Sequence, residues 1–397
     1  MNDSMTEEMP EPANDTIRIL HTADWHLGRE FHGADLTDAH QAFFDWLGSQ
    51  ILERDVDLVI MAGDIFDRAL PPLSAVALFN RNLDRISELA PIVLVAGNHD
   101  SIVRMGHGAL LKEGIHLRSG TDQIGEAITF DGGAFPLAIY PIPYLDPIAS
   151  SDKLECDEAT HGAVLAAAVS ASLADLTGQP DGTRSLAIAH AFVTGGKVTD
   201  SERGISVGGA FDVPSSTFDG FDYVALGHLH RPQQMDSHVR YSGSPLFLSF
   251  SEVGAEKSVE IVDLFANGSI EVETVAVPPS VEVGRIRGEL EDLLTSDEFT
   301  EYEDHWLEVE VTDTKRPYAP MEKLGRRFRH VLSLRFPKLA EESAEREAER
   351  LLQVSQKDPL ELVTEFVNYV REGEVTAEER DLLERALASR TASETGG

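Results

Sequence analysis

The sequence predicts an α/β fold with a partly parallel sheet, followed by a small α+β domain and a C-terminal helical hairpin. Three observations carry this. Short apolar runs at Ile17–His21, Leu58–Ala62 and Pro91–Ala96 have the pattern of strands buried on both faces. Segments with helical apolar spacing lie between them, at Asp35–Arg54 and Leu73–Leu89, an alternation that builds a parallel sheet. Composition then shifts after Val277-Pro278-Pro279, which marks a domain boundary.

Taken in order, residues 1–15 are acidic, contain proline and are poor in apolar residues, so they are expected to be disordered. A first domain over 16–278 then begins with the strand that ends at Asp24-Trp25-His26. Leu36, Phe43, Phe44, Leu47 and Ile51 give the first helix its apolar face, and Pro71-Pro72 starts the second. Strands are expected at Ala127–Phe130 and Leu137–Tyr140, then a helix over Asp157–Leu176. Ser185–Ala189 delivers His190, and Asp222–Leu226 delivers Gly227-His228-Leu229-His230. Val239–Ser242 and Val259–Leu264 close the domain, the latter ending in the hairpin signal Asn267-Gly268.

In the small domain, 279–339, Leu307, Val309 and Val311 alternate with Glu308, Glu310 and Thr312, which predicts a strand with one wet face. Met321, Leu324, Phe328, Val331 and Leu332 fit one amphipathic helix. In the tail, 340–397, Asp358-Pro359 starts a helix whose apolar face is Leu362, Phe366, Tyr369 and Val370. Thr376 and Glu379 form a capping box for a last helix. So small a hairpin needs a surface to lie on.

At 397 residues and 42% hydrophobic, the chain buries a full core. No apolar run reaches membrane-spanning length and the start lacks an apolar signal core, so a soluble cytoplasmic protein is expected. Cys156 is the only cysteine, which excludes disulfide stapling. The net charge of −36 argues against a module that binds nucleic acid by its whole surface. It leaves room for a phosphodiesterase, because two divalent cations reverse the field at the site.

Asp64 follows a buried strand and a glycine, where open α/β sheets bind ligands, and its two oxygens can bridge two cations. Asp24 and His26, two apart at a strand end, face one side, as do His228 and His230. Asn98 offers a neutral oxygen and His190 a nitrogen. The expected division is Asp24, His26, Asp64 and His230 on one metal, and Asp64, Asn98, His190 and His228 on the other. Mixed nitrogen and oxygen ligands suit manganese, iron or zinc. His99 is the candidate to contact the scissile phosphate and serve the leaving oxygen. Asp100 either orients His99 or caps a helix starting at Ser101, and Asp67 either reaches the site or stabilises its turn. The remaining histidines are read as structural or solvated. Gly195-Gly196-Lys197 lacks the following Ser or Thr of a phosphate loop, so no ATPase site is expected.

Asp-x-His, Gly-Asp-x-x-Asp, Gly-Asn-His-Asp, a single His and Gly-His-x-His together resemble the calcineurin-like metallophosphoesterases. The stretches Ile19–Gly28, Ala62–Asp67, Leu226–Arg231 and Tyr241–Pro245 are similar to the SbcD family, nuclease subunits of bacterial SbcCD complexes. The departure is Ala189, where that family often has Gly. The resemblance implies a mixed-sheet sandwich flanked by helices, with a capping domain and a partner-binding hairpin. It implies two divalent ions, most often manganese, and 3′-to-5′ cleavage of double-stranded DNA ends, with endonuclease action on single strands and hairpins. It also implies a homodimer formed through the helices after Pro72 and Asp100, and an SbcC-like coiled-coil ATPase docked on the tail. Arg29 and Arg231 flank ligand stretches and are candidates to hold the DNA backbone.

A metallophosphatase or nucleotide phosphodiesterase with a small substrate shares every ligand, although it needs no extra domain or tail. A non-catalytic scaffold would be expected to have lost ligands, and none is missing.

Overall fold

The computed structural model describes residues 15–101, 113–202, 213–338, 357–371 and 373–394. The expected disorder before residue 15, a helix after Asp100 and the start of the tail at 340 fall outside the described residues.

The chain runs β1 (Thr16–Thr22), a two-stranded ribbon β2 (Glu30–Phe31) and β3 (Ala34–Asp35), α1 (Thr37–Glu53), β4 (Leu58–Met61), α2 (Leu73–Leu89), β5 (Ile92–Val95) and β6 (Ile115–Arg118). It continues with β7 (Ile128–Asp131), β8 (Pro136–Ile142), α3 (Pro147–Ser151), α4 (His161–Leu176), β9 (Arg184–His190), β10 (Tyr223–Gly227), β11 (Gln233–Gln234), β12 (Val239–Tyr241), β13 (Ser258–Phe265) and β14 (Ile270–Ala276). One six-stranded sheet has the order β14-β13-β1-β4-β5-β6, and the other β11-β12-β10-β9-β8-β7. In the first, β1, β4, β5 and β6 are parallel, while β13 pairs antiparallel with both β1 and β14. In the second, β8, β9, β10 and β12 are parallel, with antiparallel β7 and β11 at the edges.

Burial explains the layering. Ile17, Ile19, Leu58, Ile60, Val93 and Val95 from the first sheet form one buried cluster with Leu137, Ile139, Leu186 and Ile188 from the second. The opposite face of the first sheet packs with α1 and α2, and that of the second with α4. Each central strand is covered on both sides, which is why the sequence shows unbroken apolar runs. Asp35 Oδ1 accepts from the Thr37 backbone N–H at 2.6 Å just before α1. Thr160 caps α4, which therefore starts at His161 rather than Asp157.

His21 lies between the sheets. Its Nδ1 is 3.0 Å from the Tyr223 hydroxyl and its Nε2 3.1 Å from the Leu226 carbonyl. Burial pushes its pKa from 6.5 down to about 3. A depressed histidine stabilises the fold above its unfolded pKa and loses that contribution as pH falls from 6.5 towards 3. The advantage of the wild type over His21→Gln is therefore expected to shrink on acidification, by roughly 3 kcal/mol at pH 4. Urea unfolding at several pH values measures this, and a gap independent of pH contradicts it.

The chain divides into two compact units, Met1–Arg285 with Glu301–Glu308 and Phe328–Ser333, and Ile286–Thr300 with Val309–Arg327 and Leu334–Gly397. β15 (Val283–Gly288), α5 (Leu290–Thr295), β16 (Trp306–Val311), α6 (Pro320–Leu324) and β17 (His330–Arg335) follow, the strands forming a sheet in the order β15-β16-β17. Two expectations are corrected. Glu308 is 1% exposed: its Oε2 is ion-paired with Arg285 Nε at 2.8 Å and its Oε1 accepts from Ser333 Oγ at 3.2 Å. The segment read as one amphipathic helix is the short α6 followed by β17, with Val331 and Leu332 in the strand. A few apolar residues at both helical and alternate spacing cannot separate the two periods.

In the second unit, α7 (Pro359–Arg371) and α8 (Ala377–Glu394) make the hairpin. Asp358 Oδ1 accepts from the Leu360 N–H at 2.7 Å, and Thr376 and Glu379 exchange the two backbone-to-side-chain bonds of a capping box. Phe366, Tyr369 and Val370 are exposed. Among the described residues, no helix is long and apolar enough to cross a membrane.

Candidate metal centre

Five strand ends place the ligand candidates. β1 ends before Asp24 and His26, β4 before Gly63-Asp64, and β5 before Gly97-Asn98-His99; β9 ends on His190 and β10 on Gly227. Two of the loops are stitched into register, with Asp24 N–H donating to Gly63 O at 3.0 Å and His26 N–H to Asp64 O at 3.0 Å. Asp24, His26, Asp64 and His228 all have positive φ (54°, 45°, 53° and 108°), a conformation that costs non-glycine residues energy and collects at functional sites. At Gly97, a Cβ would lie 2.1 Å from Asp64 Oδ1, so only glycine lets these two loops meet.

All seven metal-ligand candidates converge. His26 Nε2 and His190 Nε2 each lie 3.5 Å from Asp64 Oδ2, and His99 Nε2 is 3.9 Å away. His26 Nε2 faces His230 Nε2 at 3.1 Å. Asn98 Oδ1 is 3.0 Å from His190 Nε2 and 3.2 Å from His228 Nδ1. Both oxygens of Asp24 accept from the His228 backbone N–H at 3.1 Å. Three overlapping groups have ligand atoms spaced closely enough to hold a metal ion: Asp24, His26 and His230; His26, Asp64 and His99; Asp24, Asp64 and His190.

The proton positions test whether cations fit. His190 Nδ1 must carry its proton to donate to the Ala62 carbonyl at 2.9 Å, which leaves Nε2 a bare lone pair turned toward Asn98 Oδ1. Ser201 Oγ donates to Glu252 Oε1 and so accepts from His230 Nδ1 at 2.6 Å, leaving His230 Nε2 bare as well. His26 Nδ1 is buried without a hydrogen-bond partner, 3.7 Å from Asp67 Oδ1. The bare His190 Nε2 thus faces the Asn98 oxygen across a gap of 3.0 Å, which is unfavourable unless a cation sits between them. The residues fit divalent metal ligation.

Electrostatics point the same way. Burial, then neighbouring histidines, hold His26 and His228 well below 6.5, so their rings are neutral and able to ligate. Burial, then Asp64, pushes Asp24 well above the usual carboxylate range. Keeping Asp24 ionised in this buried site therefore calls for a positive charge close by.

Asp100 is corrected from its expected role beside His99. Its carboxylate accepts from the backbone N–H groups of Ile65 (3.1 Å), Phe66 (2.9 Å) and Gly97 (2.9 Å), tying the Asp64 loop to the Asn98 loop. His99 is oriented instead by Asp67, whose carbonyl accepts from Nδ1 at 2.7 Å. Arg29 donates to Asp67 Oδ1 at 3.0 Å and Leu248 O at 3.4 Å, and Arg231 to Ser251 O at 2.7 Å, so both guanidinium groups have internal partners.

The sequence reading missed what stands behind His230. Glu202 Oε1 accepts from its backbone N–H at 2.9 Å. Lys257 Nζ donates to His230 O (3.1 Å), Ser244 Oγ (2.8 Å) and Glu252 Oε2 (2.5 Å). Burial alone would raise the Glu252 pKa, but Lys257 and His230 hold it below the usual range. The available signal was Tyr241-Ser-Gly-Ser-Pro245, whose Ser244 belongs to this network.

A sandwich with buried histidines and carboxylates gathered at its strand ends is the site of a metal-dependent phosphoester hydrolase. Residues 17–232 match the model of the calcineurin-like phosphoesterases, and the chain belongs to that family. Residues 279–371 match a second model, SbcD_C, described as the Type 5 capsule protein repressor C-terminal domain, which makes the chain an SbcD-type member of the superfamily. Its members bind divalent metals. The solved structures it resembles include TT1561 of Thermus thermophilus, at 13% identity and a TM-score of 0.37, with 66% of this chain and 100% of that one covered. They also include GAP50, the anchor in the inner membrane complex of Plasmodium, at 12% and 0.41, with 66% and 85% covered.

Proposed function

We propose that this chain is the nuclease subunit of an SbcCD-type complex, cytoplasmic and acting in DNA repair and recombination. It would cut double-stranded DNA ends 3′ to 5′ and open single strands and hairpins, as a homodimer working with a coiled-coil ATPase. The observation that carries this reading is the buried cluster of Asp24, His26, Asp64, His99, His190 and His230 in a chain that also has the SbcD-type C-terminal match. Residues 279–339 would act as a capping domain, and the exposed Phe366, Tyr369 and Val370 give the ATPase an apolar face to cover.

Asp24, His26, Asp64 and His230 would hold one manganese ion, and Asp64, Asn98, His190 and His228 the other. Bound metals supply charge neutralisation at the phosphate and a nucleophile at neutral pH. The protein's own groups do the rest. His190 and His230 keep their outward protons on Nδ1, so the Nε2 atoms stay directed inward. Asp67 fixes the His99 ring with a proton on Nδ1, and Nε2 is the atom that can serve the leaving sugar oxygen. Asp100 locks the two loops that set the distance between Asp64 and His99. Because Arg29 and Arg231 already have partners, a DNA-backbone role requires them to exchange those bonds.

The test offers the manganese-loaded protein hairpin DNA, blunt duplex DNA and nitrophenyl phosphate esters, with and without its ATPase partner. Cleavage of both DNAs, abolished by EDTA, is expected. Ester hydrolysis with intact DNA under every condition would assign the site to a small substrate.

A further inference from the structure

A sixth strand end meets the ligand edge. β8 runs parallel to β9, with Ile142 opposite Ala189, so the chain leaves β8 beside His190. Two residues on, the Tyr144 backbone N–H donates to the Ala96 carbonyl at 2.8 Å, immediately before the Gly97-Asn98 loop. This short segment therefore ties the second sheet to the first on the side where Asn98 and His190 stand.

Tyr144 is half-buried, and its ring packs on that of His161, the first residue of α4, with centroids 5.6 Å apart and planes at 45°. Tyr144, His161, His190 and Phe192 share the lining of a cavity of about 20 Å³, so the aromatic pair abuts the ligand cluster itself. A tyrosine hydroxyl in such surroundings usually has a partner. That of Tyr144 makes no hydrogen bond among the described residues. Burial, then Asp146 and Asp64, pushes its pKa up to about 12, so the hydroxyl keeps its proton at neutral pH and can donate it to an anion. A neutral donor suits this place, since it needs no counter-charge when the substrate is absent.

We infer that the Tyr144 hydroxyl is a substrate-contacting group, donating to a non-bridging phosphate oxygen on the Asn98 and His190 side. His161 is the positioning residue that holds its ring. The inference deepens the proposed function and rests on it only for a phosphoester substrate, whether or not that substrate is DNA.

Tyr144→Phe tests it by removing the donor while keeping the ring against His161. Inorganic phosphate is titrated calorimetrically into the manganese-loaded protein, and hydrolysis of bis(nitrophenyl) phosphate is followed in parallel. Tyr144→Phe should bind phosphate and process the ester roughly tenfold less well. Its manganese affinity and melting temperature should match wild type, which a merely structural role would not allow. His161→Ala should weaken phosphate several-fold, and His161→Phe, which restores an aromatic face, should recover it. Equal phosphate affinity in Tyr144→Phe overturns the inference, as does a loss that follows weakened manganese binding. DNA left intact by a protein whose phosphate binding still depends on Tyr144 would support the contact and overturn the nuclease reading alone.

Discussion

Asp64→Asn is expected to abolish phosphodiester cleavage and, at the same time, to make the metal-free protein more stable. Asp64 lies within 4 Å of three histidine nitrogens, and one of its oxygens also accepts from the His99 backbone N–H at 2.9 Å. Loss of the shared carboxylate removes a ligand from both proposed ions, and the rate should fall by roughly three to four orders of magnitude. The stability effect has the opposite sign. Asp24 and Asp64 are both almost fully buried, and burial and then Asp64 push the Asp24 pKa well upward. A carboxylate with a raised folded pKa stabilises the fold at low pH and loses that contribution as pH climbs through the folded value, so at pH 7 the metal-free pair is a source of strain. The neutral amide relieves it, while its oxygen can still accept from His99. Thermal melts should therefore show Asp64→Asn above wild type in EDTA, and only the wild type should gain on adding manganese. Activity above a tenth of wild type, or a metal-free variant that melts lower, would overturn the bridging assignment.

Several of the site's parts were legible because they obey local rules. Each ligand follows an apolar strand, and ends of neighbouring strands in a sheet must lie near one another, so order and spacing gather Asp24, Asp64 and Asn98 at one sheet and His190 and His228 at the other, while the closing of the sandwich brings the two sets together. What the sequence does not display is a partner fixed by tertiary contact alone. Ser201, Glu252 and Lys257 come from loops with no period or motif, and they meet at His230 only because the sandwich has closed. Glu308 shows the same limit in a strand. Alternation assigns it to water, but Arg285 Nε holds it 1% exposed. Asp100 was read by sequence adjacency to His99, whereas its partners Ile65 and Phe66 stand about thirty-five positions earlier. Local pattern predicts which face a residue takes; it does not predict which polar group waits there.

Lys257→Met is expected to be the most destabilising single change in the network behind the site. It leaves Glu252, which is fully buried, with a carboxylate whose counter-charge has gone. Stranding one partner of a buried ion pair costs about 3–5 kcal/mol, more than the pair itself contributes over an apolar replacement. That is a fall in melting temperature of roughly 10 °C. The asymmetry gives the control: adding Glu252→Gln should recover most of the loss, because no buried charge remains. The pH dependence gives a second. In the wild type the depressed Glu252 stabilises above its unfolded pKa of 4.5 and loses that as pH falls. In Lys257→Met, burial acts unopposed by the lysine and the folded pKa rises above 4.5, so the deficit should be largest at neutral pH and shrink on acidification. Metal affinity should weaken as well, since the Lys257 amine also holds the His230 carbonyl and Ser244. If the double variant is no more stable than the single one, the cost lies in lost packing around the lysine stem rather than in the abandoned charge.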